Sequence, residues 1–435
     1  MALSQAANIV ERIVGHGGDA TTEQNLSNPN RDPKKYADPS GARMKALVWA
    51  GKNTVKLIET YKPAIIEPRD VIVKVTGSTI CGSDLHLYHG SVFELQKGDI
   101  LGHEFCGVVE SVGPAITNVK PGQRVKLSSQ CERTNDNTIE NTMYGGNTAG
   151  MLGYSHFTGG FAGGQAEFVR VAYGDVNLLP LPDNVPDEQG LYLSDVLCTS
   201  WHCVVDTGVK EGDVVAILGA GPIGQMCVEF SFLNGAKRVI LIDGGAGAWR
   251  LDLVKSKYPN VETLNFTELP RGTSVVSKLK EMEHGGPDVA LECVAGEYAK
   301  GWTHYFELLL GAETDTSEIV NEMIESVKSF GRCGITGVYA GYTNHFNIGS
   351  LMERGIRLIG NGQAPVHKYW HELLRYIQEG KIHPTNMLTH RVLIDDMEAV
   401  YQTYDKRGDN MQKVFVATAA SFPPAPGTPE LTRFN

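Results

Sequence analysis

The 435-residue chain lacks the sequence features that mark a membrane, nucleic-acid-binding or disulfide-rich protein. No apolar run reaches the roughly 18 residues that a membrane-spanning helix needs. The formal net charge is −11 and no basic patch is visible, so neither a nucleic acid nor an anionic membrane is expected as a partner. The eight cysteines include no C-x-x-C pair and most lie in apolar segments, which is typical of free thiols in a reducing compartment. The first 32 residues carry acids and no apolar core of a secretory signal, so we expect a cytoplasmic protein.

The composition is that of a globular protein with 42% hydrophobic and 20% charged residues, and its length allows two domains. Residues 18–43 are polar and rich in Asn, Asp and Pro, and we predict that residues 1–43 form a flexible N-terminal arm. Alternating strand-like segments follow, and near residue 200 the pattern changes to buried strands separated by helices. We predict an α/β chain in which a strand-rich domain, residues 44–204 and 345–435 with a Pro-rich tail, is interrupted by a domain of parallel strands and helices, residues 205–344.

The segment "LGAGPIGQ" contains a G-x-G-x-x-G pattern between an apolar strand and a helix. Glycines there allow a tight turn and the close approach of a pyrophosphate to the N-terminus of the helix. Asp243 ends the next strand, where a carboxylate accepts hydrogen bonds from ribose hydroxyls and repels a 2′-phosphate, which favours NAD over NADP. A structural turn and an aspartate that merely ends a strand are the alternatives. The candidate cofactor-binding residues here are Gly219, Gly221, Pro222, Ile223, Gly224 and Asp243.

Candidate metal ligands occur in three separate segments. Cys81 lies in "ICGSDLHLYHG", His103 and Glu104 lie in "GDILGHEFCGVVESVG", and Asp195 lies in "LYLSDVLCTSWHC". Each has an ordinary alternative, because a lone cysteine near a strand end is usually a small hydrophobic residue and a lone histidine is usually hydrogen-bonded. The residues by themselves leave the choice open.

Taken together, these segments resemble the zinc-dependent branch of the medium-chain alcohol dehydrogenases. The segment "GHEFCGVVESVGPAITNVKPGQRV" is similar to the zinc-site segment of that family. The segments "GYSHFTGGFAGGQAEFVRV", "LSDVLCTSWH" and "GQAPVHKYWHELL" are similar to the glutathione-independent formaldehyde dehydrogenases. The resemblance covers about residues 44–418 and implies a GroES-like catalytic domain interrupted by a Rossmann dinucleotide-binding domain.

The resemblance also implies one catalytic zinc held by Cys81, His103 and Asp195, with the fourth position open for substrate. Glu104 corresponds to a glutamate near the zinc, and a buried supporting acid is its alternative role. Many family members carry a second, structural zinc on four closely spaced cysteines. Only Cys131 stands in that segment, so we predict no structural zinc.

Further roles follow from the same resemblance. Ser83 corresponds to the hydroxyl beside the reacting oxygen, and His86 corresponds to the end of the proton relay, with a surface-loop residue as its alternative. Lys413 corresponds to a basic residue that contacts the cofactor pyrophosphate. Gly82 and Arg250 complete the candidate cofactor-binding set, although "DGGAGAWR" is longer than the usual spacing before such an arginine.

The function expected from the resemblance is zinc-dependent transfer of a hydride between a primary alcohol or aldehyde hydrate and NAD. The alternatives are a biosynthetic alcohol dehydrogenase with a larger substrate and a non-catalytic dinucleotide-binding member of the family. Phe93, Phe157 and Trp201 are near the zinc-site motifs, but aromatic residues at such places are more often core. A small-molecule substrate and a homo-oligomer, either dimer or tetramer, are the expected partners.

Overall fold

The computed structural model describes residues 28–92, 95–128, 130–131, 150–156, 160–294, 316–337, 339, 343–362 and 364–434. They form two units, the first made of Met1–Ser194 and Leu388–Asn435 and the second of Asp195–Met387. One strand-rich unit is therefore interrupted in the chain by the other, as predicted. No helix within the described residues is long and apolar enough to cross a membrane.

The strands are β1 Arg43–Gly51, β2 Thr54–Tyr61, β3 Val71–Ser78, β4 Phe105–Val112, β5 Arg124–Leu127, β6 Gln130–Cys131, β7 Gly150–Met151, β8 Phe168–Val171, β9 Leu178–Pro180, β10 Val214–Leu218, β11 Arg238–Asp243, β12 Glu262–Asn265, β13 Val289–Glu292, β14 Arg332–Ile335, β15 Arg357–Gly360, β16 Leu388–Leu393 and β17 Lys413–Ala417. The α-helices are α1 Pro33–Tyr36, α2 Gly82–Tyr88, α3 Gly174–Asn177, α4 Asp187–Gly190, α5 Val196–Asp206, α6 Pro222–Leu233, α7 Trp249–Lys257, α8 Val275–Met282, α9 Glu318–Ser326, α10 Ile348–Glu353, α11 Val366–Gln378 and α12 Met397–Asp405. Short 3-10 helices lie at Leu191–Ser194, Gly245–Gly247, Phe266–Glu268, Pro384–Met387 and Ile394–Asp396.

The first unit is built on a mixed sheet with the strand order β16-β17-β3-β4-β5-β9, in which β8 also pairs with β3. Strand β3, "VIVKVTGS", is buried along almost its whole length. It pairs antiparallel with β4, β8 and β17, so the C-terminal part of the chain completes the sheet begun by the N-terminal part. A core of Val71, Val73 and Phe105 fills one region of this unit, and Leu47, Ile80 and Val414 belong to another.

The second unit contains a six-stranded parallel sheet with the order β12-β11-β10-β13-β14-β15. All five residues of β10, "VVAIL", are buried, as expected for a parallel strand covered on both faces. Counted from β10, this order is 3-2-1-4-5-6, the doubly wound arrangement in which ligands bind where the order reverses, at the carboxyl ends of the first and fourth strands. The predicted Rossmann fold is confirmed, and the segment after β10 lies at that edge of the sheet.

The unit boundaries differ from the predicted domain limits at 204/205 and 344/345. Helix α5 packs against α6 and α11, so it belongs to the second unit although it precedes the glycine turn. Strand β15 pairs with β14 as the last strand of the parallel sheet, which carries the second unit to Met387.

Part of the predicted N-terminal arm packs on the first unit. The side-chain amide of Asn28 donates to the Gly98 carbonyl at 2.9 Å. Tyr36 in α1 is only 2% exposed. The description of the arm as flexible does not fit these residues, and residues 1–27 lie outside the described part of the chain.

Candidate active site

Three of the predicted site residues, Cys81, His103 and Glu104, lie together in the first unit. Each offers one ligand atom, and these atoms lie within 4.8 Å of one another. The antiparallel pairing explains this, because Ser78 at the end of β3 lies opposite Phe105 at the start of β4. The residues just after β3 and just before β4 therefore meet. His103 and Glu104 are buried and Cys81 is partly exposed. A thiol, an imidazole and a carboxylate are all groups that bind zinc, so this donor set fits the predicted metal.

Asp84 belongs to the site, although no role was predicted for it. One carboxylate oxygen accepts a hydrogen bond from the Cys81 backbone N–H at 2.9 Å, and the other lies 3.5 Å from Nδ1 of His103. Asp84 is 1% exposed, and it can therefore hold the start of α2 and the imidazole in place together. An acid three residues after the residue that begins a helix was the available sequence signal.

Ser83 and His86 lie on α2 beside this cluster. The hydroxyl oxygen of Ser83 is 3.4 Å from Nε2 of His103, on the opposite side of the imidazole from Asp84. His86 follows three positions later on the same helix, so the two side chains share one face of α2, and His86 is partly exposed. His89, interpreted as structural, contacts Asp405 at 2.7 Å.

Lys413, predicted to contact a cofactor, has a partner inside the first unit. Its ammonium group donates to the Glu104 carboxylate at 2.7 Å and to the Ile80 carbonyl at 3.2 Å. Both charged side chains are 1% exposed. Burial is the largest influence on the Lys413 amine and lowers its pKa, but the Glu104 carboxylate, together with the Cys81 and Tyr404 side chains, holds that pKa above its ordinary value. Glu104 and Lys413 therefore form a buried ion pair next to the candidate metal ligands.

Asp195, the third predicted ligand, is the first residue of the second unit and directly precedes α5. Its carboxylate accepts a hydrogen bond from the Thr199 hydroxyl at 2.7 Å. Trp201 on the same helix packs against Phe230 and Tyr376 and is a core residue.

Other predictions fall on residues that the structure does not describe. These residues include Phe93 and Phe157, two of the aromatic residues near the zinc-site motifs. The segment on which the absence of a structural zinc was predicted lies mostly in residues 132–149, also outside the described part of the chain.

The predicted dinucleotide turn connects β10 to α6. Gly219 has a φ of +103°, and a Cβ there would lie 2.9 Å from the Cys293 carbonyl oxygen. A Cβ at Gly224 would overlap the Gly219 carbonyl oxygen. By contrast, a Cβ at Gly221 would meet no protein atom within 4 Å. The open space at Gly221 fits a pyrophosphate at the N-terminus of α6, where Pro222 begins the helix.

Asp243, the last residue of β11, lies beside this turn. Its carboxylate accepts hydrogen bonds from the backbone N–H groups of Ala220 at 2.9 Å and Gly244 at 2.7 Å. Arg250, partly exposed, lies in the first turn of α7. Gly82 is exposed, and a Cβ there would also meet nothing within 4 Å.

Comparison with known proteins gives consistent similarities. Residues 67–183 match the alcohol dehydrogenase GroES-like domain. A zinc-type alcohol dehydrogenase-like protein of Schizosaccharomyces pombe is 35% identical over 427 residues, 94% of this chain and 97% of the relative. The glutathione-independent formaldehyde dehydrogenase of Pseudomonas aeruginosa is 27% identical over 83% of this chain and 94% of its own length. The solved structure of an alcohol dehydrogenase from Thermus sp. ATN1 is 28% identical in sequence and has a TM-score of 0.73, covering 86% of this chain and all of the Thermus chain.

Proposed function

This chain belongs to the zinc-type medium-chain alcohol dehydrogenases, a family of oxidoreductases, and we propose that it transfers a hydride between a primary alcohol or aldehyde hydrate and NAD. The observation that carries the proposal is the cluster of Cys81, His103 and Glu104, whose donors suit zinc. The formaldehyde dehydrogenase relative, at lower identity than the zinc-type relative, supports the inclusion of an aldehyde hydrate in the proposed substrate class.

The proposed zinc ligands are Cys81, His103 and Asp195. Asp195 follows Ser194 directly, so the third ligand is joined by one peptide bond to the unit that holds the other two. Three protein ligands leave the fourth position for substrate. Zinc held there would supply a Lewis acid that lowers the pKa of the substrate hydroxyl.

The protein's own residues supply the proton transfer in this proposal. Ser83 is next to His103, and its hydroxyl can accept the substrate proton while it donates its own. His86 on the same face of α2 is partly exposed and is proposed to pass the proton on to solvent. Asp84 would keep the His103 ring in the orientation that presents Nε2.

NAD is proposed to bind at the turn of Gly219, Gly221 and Gly224. The N-terminus of α6 provides backbone N–H groups for the pyrophosphate, and the space at Gly221 supports its close approach. Asp243 is proposed to accept hydrogen bonds from the adenosine ribose, where its charge would disfavour a 2′-phosphate. Lys413 is proposed as a further pyrophosphate contact in addition to its pairing with Glu104.

We expect the purified, metal-replete protein to contain about one tightly bound zinc per chain, measured by elemental analysis after dialysis. A single ion would agree with a catalytic site without a structural one. Absence of zinc after metal-replete preparation would contradict the proposed chemistry, and two ions would contradict the prediction made on the Cys131 segment.

Gly221→Ala is expected to weaken NAD binding by at least about tenfold, equivalent to about 1.4 kcal/mol, without destabilising the fold. Gly221 has a φ of −67°, which alanine readily adopts, and the added methyl group meets no protein atom within 4 Å. It would instead fill the space proposed for the pyrophosphate. The measurement is calorimetric titration of the zinc-loaded variant with NAD, together with its melting temperature.

Gly360→Ala is the matched control, because a Cβ at this position at the end of β15 also meets nothing within 4 Å. It should bind NAD like the unmodified protein. Unchanged NAD affinity in Gly221→Ala would show that the dinucleotide does not occupy this turn.

A further inference from the structure

The second unit contains another group of ligand atoms, the thiols of Cys203, Cys227 and Cys293. Their sulfur atoms all lie within 4.8 Å of one another, and the Cys227 and Cys293 sulfurs are 3.9 Å apart. All three cysteines are free thiols. The proposed oxidoreductase chemistry uses none of them.

Three different elements hold these thiols in place. Cys203 lies in α5, Cys227 lies in α6, and Cys293 directly follows β13. The Cys227 thiol also contacts the Ser200 carbonyl oxygen at 3.7 Å, so both helices are fixed against each other here. Cys203 and Cys227 are buried, whereas residue Cys293 is partly exposed. The three thiols therefore form a preformed group within the second unit.

The donor set selects the type of ion. If three sulfur atoms bind one ion in a trigonal plane, each about 2.3 Å from the ion, the sulfur atoms lie about 4.0 Å from one another. The observed distance between the Cys227 and Cys293 sulfur atoms is close to this value. The group includes no imidazole or carboxylate, and a structural zinc takes four ligands. Thiolate ligands alone favour a soft ion such as Cu(I).

We propose that Cys203, Cys227 and Cys293 form a three-coordinate thiolate site for one Cu(I) ion. Coordination displaces the thiol protons to solvent, and neither copper nor sulfur changes its oxidation state. The site is separate in the chain from Cys81, so the proposal stands independently of the proposed dehydrogenase function.

The test is competition for Cu(I) between the zinc-loaded full-length protein and bicinchoninate under anaerobic conditions. We expect the protein to retain one Cu(I) per chain, and Cys227→Ser and Cys293→Ser to lose it. Cys333→Ser is the matched control, because Cys333 is a buried thiol of β14 in the same unit and is not in the cluster. Cys81→Ser should also retain Cu(I).

X-ray absorption of the loaded wild-type protein gives a readout that does not depend on the variants folding. We expect a shell of three sulfur atoms at about 2.3 Å. Nitrogen or oxygen ligands in that shell would overturn the proposal. Failure of the wild-type protein to retain Cu(I), retention that survives Cys293→Ser, or loss in Cys81→Ser would do the same. Formation of a Cys227–Cys293 disulfide in place of copper binding would also overturn the proposal.

Discussion

Lys413→Met is expected to lower the free energy of unfolding by about 3–5 kcal/mol, the usual cost of removing one partner of a buried ion pair. The Glu104 carboxylate would lose its 2.7 Å contact with the ammonium group while it stays buried at 1% exposure. A buried charge with its counter-ion removed is far more costly than the pair itself. Urea unfolding of the metal-free protein is the measurement, since it separates this effect from any change in zinc binding.

Two variants make the comparison decisive. Glu104→Gln combined with Lys413→Met removes both charges and should recover a large part of the lost stability. Lys45→Met removes the ammonium group of an exposed pair with Asp395 in the same unit and should cost less than about 1 kcal/mol. If Lys413→Met is no more destabilising than Lys45→Met, Glu104 and Lys413 do not form a pair of buried charges.

The geometry of the glycine-rich turn after β10 could be predicted from the sequence because its determinants are local. Gly219, Gly221, Gly224 and Asp243 lie within one strand–helix–strand unit, and the parallel pairing of β10 with β11 brings the aspartate beside the turn. The contact of Asp84 with Cys81 is also local, since it spans three residues. The helix-start pattern contained this signal, but no role was predicted for Asp84.

The partner of Lys413 could not be read in this way. Glu104 and Lys413 are 309 positions apart, and they meet because β17 pairs with β3, which in turn pairs with β4. No periodicity or motif spacing encodes that order of strands. The resemblance to a family placed Lys413 among the cofactor-binding residues, whereas the packing shows its intramolecular partner.

The boundaries between the two units could not be read from the sequence for a related reason. The sequence of α5, "VLCTSWHCVVD", is apolar enough to be buried in either unit, and only its packing against α6 and α11 assigns it. Strand β15 is only four residues long, and all four are partly or fully exposed. Its sequence pattern therefore does not identify it as a strand of the parallel sheet.

His103→Ala is expected to reduce kcat/KM for a primary alcohol with NAD by about 10³-fold or more and to abolish tight zinc binding. Under the proposed function His103 is one of three protein ligands, and a Lewis acid supplies several kcal/mol of transition-state stabilisation, where each 1.36 kcal/mol is a factor of about ten. The measurements are zinc content and initial rates with a panel of primary alcohols and aldehydes.

His89→Ala is the matched control, since His89 follows α2, close in sequence to Cys81, and its ring pairs with Asp405. It should keep its zinc and remain within about threefold of the unmodified rate, because lost exposed ion pairs cost less than about 1 kcal/mol. Zinc loss in His103→Ala with zinc retention in His89→Ala would assign the metal to the described cluster. Full zinc occupancy and turnover in His103→Ala would place the metal elsewhere and remove the main support for the proposed dehydrogenase chemistry. If His103→Ala loses its zinc but the unmodified protein turns over no alcohol or aldehyde, the metal site stands and the proposed substrate class is rejected.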